Sequence, residues 1–230
     1  MGNRSLKARA TRQLMNTFLV LCGLLFVPAG SWRFWQGWLF LLLMFGFWIY
    51  FFVNLLTHDP QLVERRMHRR EKETEPQQRL FQRLFGLILF PAFILAGLDF
   101  RFGWSRAMGS VPLAMVLAGQ LIVVAGYWFV FWTMKVNSFA SSTIQVEAQQ
   151  TVIDRGPYAW VRHPMYLGMA LTALGMPLAL GSYIALPLFA LLTPLLAYRL
   201  VHEERTLCRD LSGYAEYCRR ARYRLLPWVW

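Results

Sequence analysis

Long apolar runs alternate with shorter polar connections along the whole chain. A membrane-spanning helix needs about 20 apolar residues to cross roughly 30 Å of hydrocarbon, and several of these runs reach that length. The runs occupy approximately residues 14–29, 37–56, 84–98, 111–134 and 165–200. The pattern predicts an all-α, polytopic integral membrane protein.

The last apolar run, residues 165–200, is too long to be a single spanning helix. Gly181 and Ser182 lie at its midpoint, and both residue types favour turns. The pattern therefore predicts a C-terminal helical hairpin and about six transmembrane helices in total. One long broken helix is the alternative.

Composition agrees with a membrane protein, because only 16% of the residues are charged, against about 25% in soluble domains. A net charge of +12 is also found in nucleic-acid-binding proteins. The basic residues, however, lie in the connections between apolar runs, as membrane topology requires. Nucleic-acid binding is therefore not expected.

The basic residues are distributed unequally between the two membrane faces. Of the 24 Lys and Arg residues, Arg33, Arg101 and Arg106 alone fall in connections on one side. The positive-inside rule then places both termini in the cytoplasm. Because Arg greatly outnumbers Lys, a GC-rich bacterial genome is indicated, so we expect a multi-pass protein of the bacterial inner membrane.

Polar residues that can carry chemistry flank the predicted hairpin. The segment 155–168, RGPYAWVRHPMYLG, precedes it, and Glu203 and Glu204 follow it. A hairpin brings its two ends to the same membrane face, so these groups can form one polar pocket. Glu204 is expected to face solvent or the loop, since it lies about 100° around the helix from Glu203.

His163 and Pro164 are predicted to begin the first hairpin helix. Pro suits the first helical turn, and the N–H groups at a helix N-terminus attract anions. His163 can also exchange a proton near neutral pH. A polar residue that only marks the membrane boundary is the alternative.

The remaining candidates also have two interpretations each. Tyr158 and Tyr166 can present ring faces to a cation or belong to an interfacial aromatic belt. Gly168 permits close approach of a cofactor or of another helix. Arg199 and Glu203 are neighbours on one helix face, so they form either a salt bridge or part of a site.

Motifs of other enzyme classes are absent from the sequence. There is no G-x-G-x-x-G segment, P-loop, H-E-x-x-H motif or serine nucleophile elbow. The three cysteines and four histidines lack ligand spacing, so no metal site is expected.

Three motifs in order, GPYAWVRHPMYLG, RLVHEERTL and GYAEYCRRARYRLLP, resemble the isoprenylcysteine carboxyl methyltransferase family and the related phospholipid methyltransferases. The resemblance covers approximately residues 145–227. It implies S-adenosylmethionine as cofactor and a lipophilic methyl acceptor, foremost the carboxylate of an isoprenylcysteine-like substrate. We therefore expect one domain, in which residues 1–134 form four spans and residues 135–230 form the cofactor-binding catalytic region.

The same resemblance assigns roles to individual residues. Arg199 would bind the substrate, and Arg199 and His163 would be catalytic. The family commonly has His where this chain has Gln150, which makes that part of the correspondence weaker. The implied cofactor contacts are Gln145, Gln150, Thr151, Val152, Ile153, Tyr158, His163, Pro164, Met165, Tyr166 and Glu203.

Other functions remain open at this point. Membrane reductases of sterols and related lipids carry a similar R-H-P-x-Y-x-G segment and use NADPH, but the Glu203–Glu204 and Gly213–Tyr214 pairs favour a methyltransferase. A transporter or structural protein and a haem protein are the weaker alternatives. A prenylcysteine, a phospholipid amine and a small thiol are all open as the acceptor, and the sequence does not indicate an oligomeric state.

Overall fold

The computed structural model describes residues 3–58, 76–137, 139 and 150–230, and these residues form helices and no strands. The predicted all-α class is confirmed. Gly156–Ala159 forms one 3₁₀ turn. The α-helices are α1 (Asn3–Ala29), α2 (Trp35–His58), α3 (Pro76–Phe102), α4 (Trp104–Ala107), α5 (Leu113–Val136), α6 (Pro164–Ala179), α7 (Leu186–Ala190), α8 (Leu192–Asp210) and α9 (Tyr214–Arg220).

Four of these helices, α1, α2, α3 and α5, are long and apolar enough to cross a membrane by length and composition. They confirm a multi-pass membrane protein. Helix α6 is apolar but shorter. The fifth and sixth predicted spans correspond to α6 and to α7 with α8.

The helices extend beyond the apolar runs that predicted them. Helix α1 begins at Asn3, within the basic N-terminal arm. The predicted polar loop, residues 57–83, extends too far, because α3 already begins at Pro76. The same helix continues through Pro91. An apolar run marks only the part of a helix that lies in hydrocarbon, while the helix itself continues into polar residues.

The last apolar run forms a hairpin rather than one broken helix. Helix α6 ends at Ala179, and Gly181 in the following turn has φ of +68°, a conformation that glycine adopts easily. Helix α8 then returns, so that the Tyr166 hydroxyl donates to Glu203, 37 residues further along the chain. The hairpin thus joins the two polar segments that flank it, as predicted.

A buried carboxylate holds the far end of the hairpin. Asp99 is 3% exposed, although the sequence placed it in a connection. One of its oxygens accepts from the Ser105 N–H at 2.7 Å, and the other accepts from the hydroxyls of Ser105 and Ser182 at 2.5 Å each. This cluster fixes the hairpin turn against the end of α3 and stabilises the opposite end of the protein from the site.

Glycines allow α5 and α6 to pack closely. A Cβ atom added at Gly168 would lie 2.8 Å from the Gly126 carbonyl oxygen, and one at Gly175 would lie 3.0 Å from the Gly119 carbonyl oxygen. Small residues at helix interfaces are typical of membrane bundles. Of its two interpretations, Gly168 therefore fits the packing role, and α5 supports the helix that carries the site.

We expect Gly119→Ala to lower the midpoint of thermal unfolding in detergent. Its Cβ would lie 2.8 Å from the Leu178 carbonyl carbon, and overpacking of this kind costs about 1–3 kcal/mol. Gly23→Ala is the matched control, because no atom lies within 4 Å of its added Cβ. An equal midpoint for both variants would contradict the close α5–α6 contact.

Candidate functional site

A cavity opens where the hairpin ends, between the start of α6, the second half of α8 and the segments before and after the hairpin. Its walls come from parts of the chain that are far apart in sequence. The lining residues are Asn137, Phe139, Gln150, Thr151, Val152, Ile153, Tyr158, Arg162, His163, Met165, Tyr166, Glu203, Thr206, Leu207, Leu211, Tyr214 and Tyr217.

Most of the cofactor contacts implied by the resemblance lie around this one cavity. Pro164 is buried at the first position of α6 and does not line it. Gln145 lies outside the described residues. Arg199, the residue that the resemblance assigns to the substrate, does not line the cavity but contacts Tyr166, which does. The implied residues that do line it are Gln150, Thr151, Val152, Ile153, Tyr158, His163, Met165, Tyr166 and Glu203.

His163 is the N-cap residue of α6, as predicted, and it is 4% exposed. Its backbone N–H donates to the Arg224 carbonyl oxygen at 3.0 Å, and Nε2 lies 3.5 Å from the Tyr214 hydroxyl. Burial, assisted by the charges of Arg162 and Arg224, lowers the pKa of His163 to about 3. The imidazole is therefore neutral at pH 7, which disfavours proton exchange near neutrality.

The first-turn N–H groups of α6 are partly used within the protein. The N–H groups of Tyr166 and Leu167 both donate to the His163 carbonyl oxygen, at 3.1 and 3.3 Å. Pro164 has no N–H. Among the first-turn N–H groups of α6, that of Met165 can therefore donate a hydrogen bond to an anionic group.

The lowered pKa of His163 predicts how stability depends on pH. The unfolded chain binds a proton below about pH 6.5, whereas the folded protein does so only near pH 3. Stability contributed by neutral His163 is therefore complete above about pH 6.5. It is lost as the pH falls, at up to about 1.4 kcal/mol per pH unit.

We expect His163→Gln to flatten the loss of thermal stability between pH 7.5 and pH 5, measured on the detergent-solubilised protein. His202→Gln, on the partly exposed His202 of α8, is the matched control and should keep the steeper wild-type dependence. A His163→Gln profile parallel to the wild type would contradict a neutral, buried His163.

Tyr166 connects Glu203 to Arg199. Its hydroxyl donates to Glu203 Oε2 at 2.5 Å and accepts from Arg199 Nε at 3.1 Å. The sequence left open a direct salt bridge between Arg199 and Glu203 on one helix. In the structure the Tyr166 hydroxyl, on α6, bridges these two residues of α8. Burial raises the pKa of Glu203, while the Tyr166 hydrogen bond and the charge of Arg199 partly offset this. A partly desolvated carboxylate lining a cavity is suited to a cationic ligand group.

Arg199 lies against α3 as well as Tyr166. It is 9% exposed, Nη1 donates to Gln78 Oε1 at 2.7 Å, and its guanidinium carbon lies 4.4 Å from the centre of the Phe81 ring. The sequence interpretation missed Gln78 and Phe81, because both fell in the predicted polar loop. A buried, oriented guanidinium beside the cavity is suited to holding an anion.

Glu204 is buried, which corrects the expectation that it faces solvent or the loop. Its carboxylate pairs with Arg162 Nη1 at 2.6 Å and with Arg224 Nε at 2.5 Å. Burial is tolerated because two guanidinium groups compensate its charge. The backbone N–H of Arg162 also donates to the Tyr223 carbonyl oxygen at 2.9 Å, so the tail closes one side of the site.

Further tyrosines complete the wall around Tyr158. The Asn137 amide donates to the Tyr158 hydroxyl at 2.8 Å, and the Tyr217 hydroxyl donates to the Tyr158 carbonyl oxygen at 2.8 Å. Tyr214 and Tyr217 belong to the third motif, GYAEYCRRARYRLLP. That motif could have indicated them as site residues, whereas residue spacing alone could not. The sequence interpretation missed the lining residues Asn137, Phe139, Arg162, Thr206, Leu207, Leu211, Tyr214 and Tyr217.

Parts of this chain are similar to known proteins. Residues 114–211, from α5 into the turn after α8, match the family phospholipid methyltransferase. The chain is also 30% identical over 139 residues to protein-S-isoprenylcysteine O-methyltransferase of Schizosaccharomyces pombe, covering 60% of this chain and 55% of that protein. Both matches are to methyltransferases, and each covers only part of this chain.

A second curated relative is named as a reductase. Delta(14)-sterol reductase TM7SF2 of Mus musculus is 32% identical over 136 residues, covering 53% of this chain and 32% of that protein. The chain thus spans about one third and about half the length of the two curated relatives.

One solved structure is also similar over the whole chain. It is the eukaryotic intramembrane Ras methyltransferase isoprenylcysteine carboxyl methyltransferase, with a TM-score of 0.39 and 15% identity. The match covers 100% of this chain and 88% of that chain. A TM-score and a sequence identity this low support no inference about function.

Proposed function

We propose that this protein is an S-adenosylmethionine-dependent membrane methyltransferase that acts on a lipophilic acceptor. The observation that carries the proposal is the convergence on one cavity of residues 150–153, Tyr158, the His163–Tyr166 turn and Glu203. Arg199 lies directly behind Tyr166. The partial matches to the phospholipid methyltransferase family and to the isoprenylcysteine O-methyltransferase support the same function.

The lining residues fit the parts of this cofactor. Glu203 is suited to its ammonium or ribose hydroxyls, and the rings of Tyr158, Tyr166 and Tyr214 are suited to its sulfonium. The Met165 N–H at the start of α6 is suited to its carboxylate. The apolar side chains of the cavity wall, Val152, Ile153, Leu207 and Leu211, can cover the adenosine.

When bound, the cofactor supplies a methyl group that an acceptor oxygen takes by in-line displacement, with release of the neutral thioether. A carboxylate acceptor carries no proton to remove, so the protein needs no general base. Its tasks are to align the acceptor and to exclude water. The neutral state of His163 agrees with this, since its part is then to position the start of α6 rather than to move a proton.

The acceptor that this site fits best is the carboxylate of an isoprenylcysteine-like lipid. Arg199 can hold a carboxylate, and Tyr166 and Gln78 fix its guanidinium in place. The prenyl group would then lie among the helices, beside Phe81 on α3. The Schizosaccharomyces pombe relative carries this activity in its name.

We also propose that the cavity faces the cytoplasm, with both termini on that side, in a bacterial inner membrane. The distribution of basic residues supports this orientation. A lipid acceptor would then enter from the bilayer, and the water-soluble cofactor would enter from the cytoplasm.

A membrane NADPH-dependent sterol or lipid reductase is the second candidate, and the identity to the Delta(14)-sterol reductase is the observation in its favour. The discriminating feature is the charge of the cavity. Arg162, the guanidinium that lines it, is already paired with Glu204. A carboxylate such as Glu203 suits a sulfonium cofactor better than a phosphate-rich one.

The proposed activity can be tested by methyl transfer from methyl-labelled S-adenosylmethionine in proteoliposomes. A farnesylated cysteine derivative, a phosphatidylethanolamine and a small alkyl thiol serve as acceptors. We expect label in an alkali-labile methyl ester of the farnesylated compound. Label on the phospholipid amine or the thiol would keep the class but change the acceptor, and no transfer to any acceptor would contradict the proposal.

A further inference from the structure

The segment 222–230, which follows α9, exposes most of its apolar side chains, while Leu225 at its base is buried. Trp228 is 87% exposed, Val229 is 76% exposed and Leu226 is 43% exposed. The segment nevertheless has a defined shape, because the N–H groups of Arg224 and Leu225 both donate to the Trp230 carbonyl oxygen, at 2.9 and 3.1 Å. We call this segment the hook.

The backbone of the hook is strained at its most exposed residue. Trp228 has φ of +63°, a left-handed conformation that bulky residues other than glycine rarely adopt. Such strain persists only where surrounding contacts impose it and is common where a segment meets a ligand. The hook therefore holds the Trp228 side chain outward at a cost in backbone conformational energy. This indicates that the side chain binds a partner outside the protein.

The position of the hook places it at the membrane boundary. Leu225, at its base, packs in one cluster with Tyr166 at the start of α6 and with Leu196 and Leu200 on α8. These residues mark the level at which the hairpin leaves the hydrocarbon. Aromatic side chains concentrate at this level in membrane proteins, so Trp228 and Val229 lie where lipid headgroups meet acyl chains.

Basic residues accompany the apolar tip. Arg219 and Arg222 are exposed, and Arg222 directly precedes Tyr223, whose ring centre lies 5.9 Å from that of Trp228. Exposed cations beside an apolar insertion point are the combination that binds anionic lipid surfaces. The complementary partner is thus a bilayer surface that carries phosphate charge.

We propose that the hook docks on the anionic phospholipid surface, with Leu226, Trp228 and Val229 inserted at the headgroup boundary and with Arg219 and Arg222 against lipid phosphates. The hook is joined to the site, since Arg224 pairs with Glu204 and its carbonyl oxygen accepts from the His163 N–H. Docking would therefore secure one wall of the cavity. The docking itself does not depend on which reaction the site performs.

The test is the depth of a nitroxide label at Val229→Cys, in full-length protein whose Cys22, Cys208 and Cys218 are replaced by Ala. The protein is placed in nanodiscs of phosphatidylcholine alone or mixed with phosphatidylglycerol, and collisions with oxygen and with an aqueous nickel complex are compared. Ser212→Cys, in the exposed turn after α8, is the matched control position. Leu226→Cys replaces Val229→Cys if the latter does not fold.

We expect the label at 229 to favour oxygen collisions in the mixed lipid, at several times the ratio found for the label at 212. Adding Arg219→Gln and Arg222→Gln should abolish the difference between the two lipids. Nickel access at 229 equal to that at 212 would overturn the proposal, and so would equal depth in both lipids. A label shielded from both collision partners would also overturn it, in favour of a protein occupant.

Discussion

Glu203→Gln is expected to weaken binding of S-adenosylhomocysteine or S-adenosylmethionine by about 10- to 150-fold. The substitution keeps the size of the side chain and an oxygen for the Tyr166 hydroxyl, which donates to Glu203 at 2.5 Å. It removes only the negative charge. A hydrogen bond to a charged group contributes about 1.5–3 kcal/mol, and 1.4 kcal/mol corresponds to a factor of ten. Calorimetric titration of the detergent-solubilised variant measures the effect.

Glu216→Gln is the matched control for this prediction, because Glu216 is an exposed carboxylate on the first turn of α9. It should bind the cofactor as the wild type does. Wild-type affinity in Glu203→Gln, with an unchanged unfolding midpoint, would remove Glu203 from the cofactor site and leave it as a structural partner of Tyr166.

Arg199→Ala is expected to lower methyl transfer by at least about 30-fold while changing S-adenosylhomocysteine affinity much less. Arg199 does not line the cavity but lies behind Tyr166, next to Gln78 and Phe81 of α3. Removing one partner of a buried charge pair costs about 2–5 kcal/mol. If the partner left behind is the acceptor carboxylate, the cost falls on turnover. Initial rates and calorimetry on the same preparation separate the two effects.

Arg199→Lys and Arg205→Ala make this experiment specific. Lys keeps the charge but cannot hold a carboxylate in a bidentate manner, so Arg199→Lys should remain strongly impaired. Arg205 is exposed on α8, and its replacement should leave turnover unchanged. Equal losses of cofactor affinity and turnover in Arg199→Ala would contradict a role in acceptor binding.

The membrane architecture could be predicted because hydropathy depends on local composition. The four long helices and the hairpin turn at Gly181 were all visible in the order of apolar and polar residues. The start of α3 was not, since Gln78 and Arg79 read as polar loop. Whether polar residues continue a helix depends on tertiary partners, and here Arg199 is the partner of Gln78.

The site was predictable only where its residues form compact motifs. Tyr158, His163, Met165 and Tyr166 lie within nine residues, and the hairpin brings Glu203 to them. The pairing of Glu204 with Arg162 and Arg224 was not predictable, because each contact joins distant parts of the chain. The same holds for the buried Asp99, whose partner Ser182 is 83 residues away.

The most direct test of the cofactor assignment is a calorimetric titration of the purified, detergent-solubilised protein with S-adenosylhomocysteine, with NADPH titrated in parallel. Saturable binding of S-adenosylhomocysteine alone is the expected result, and it would assign the cavity around Tyr158, His163 and Glu203 to a methyltransferase. Saturable binding of NADPH alone, or of neither compound to protein shown to be folded, would contradict that assignment.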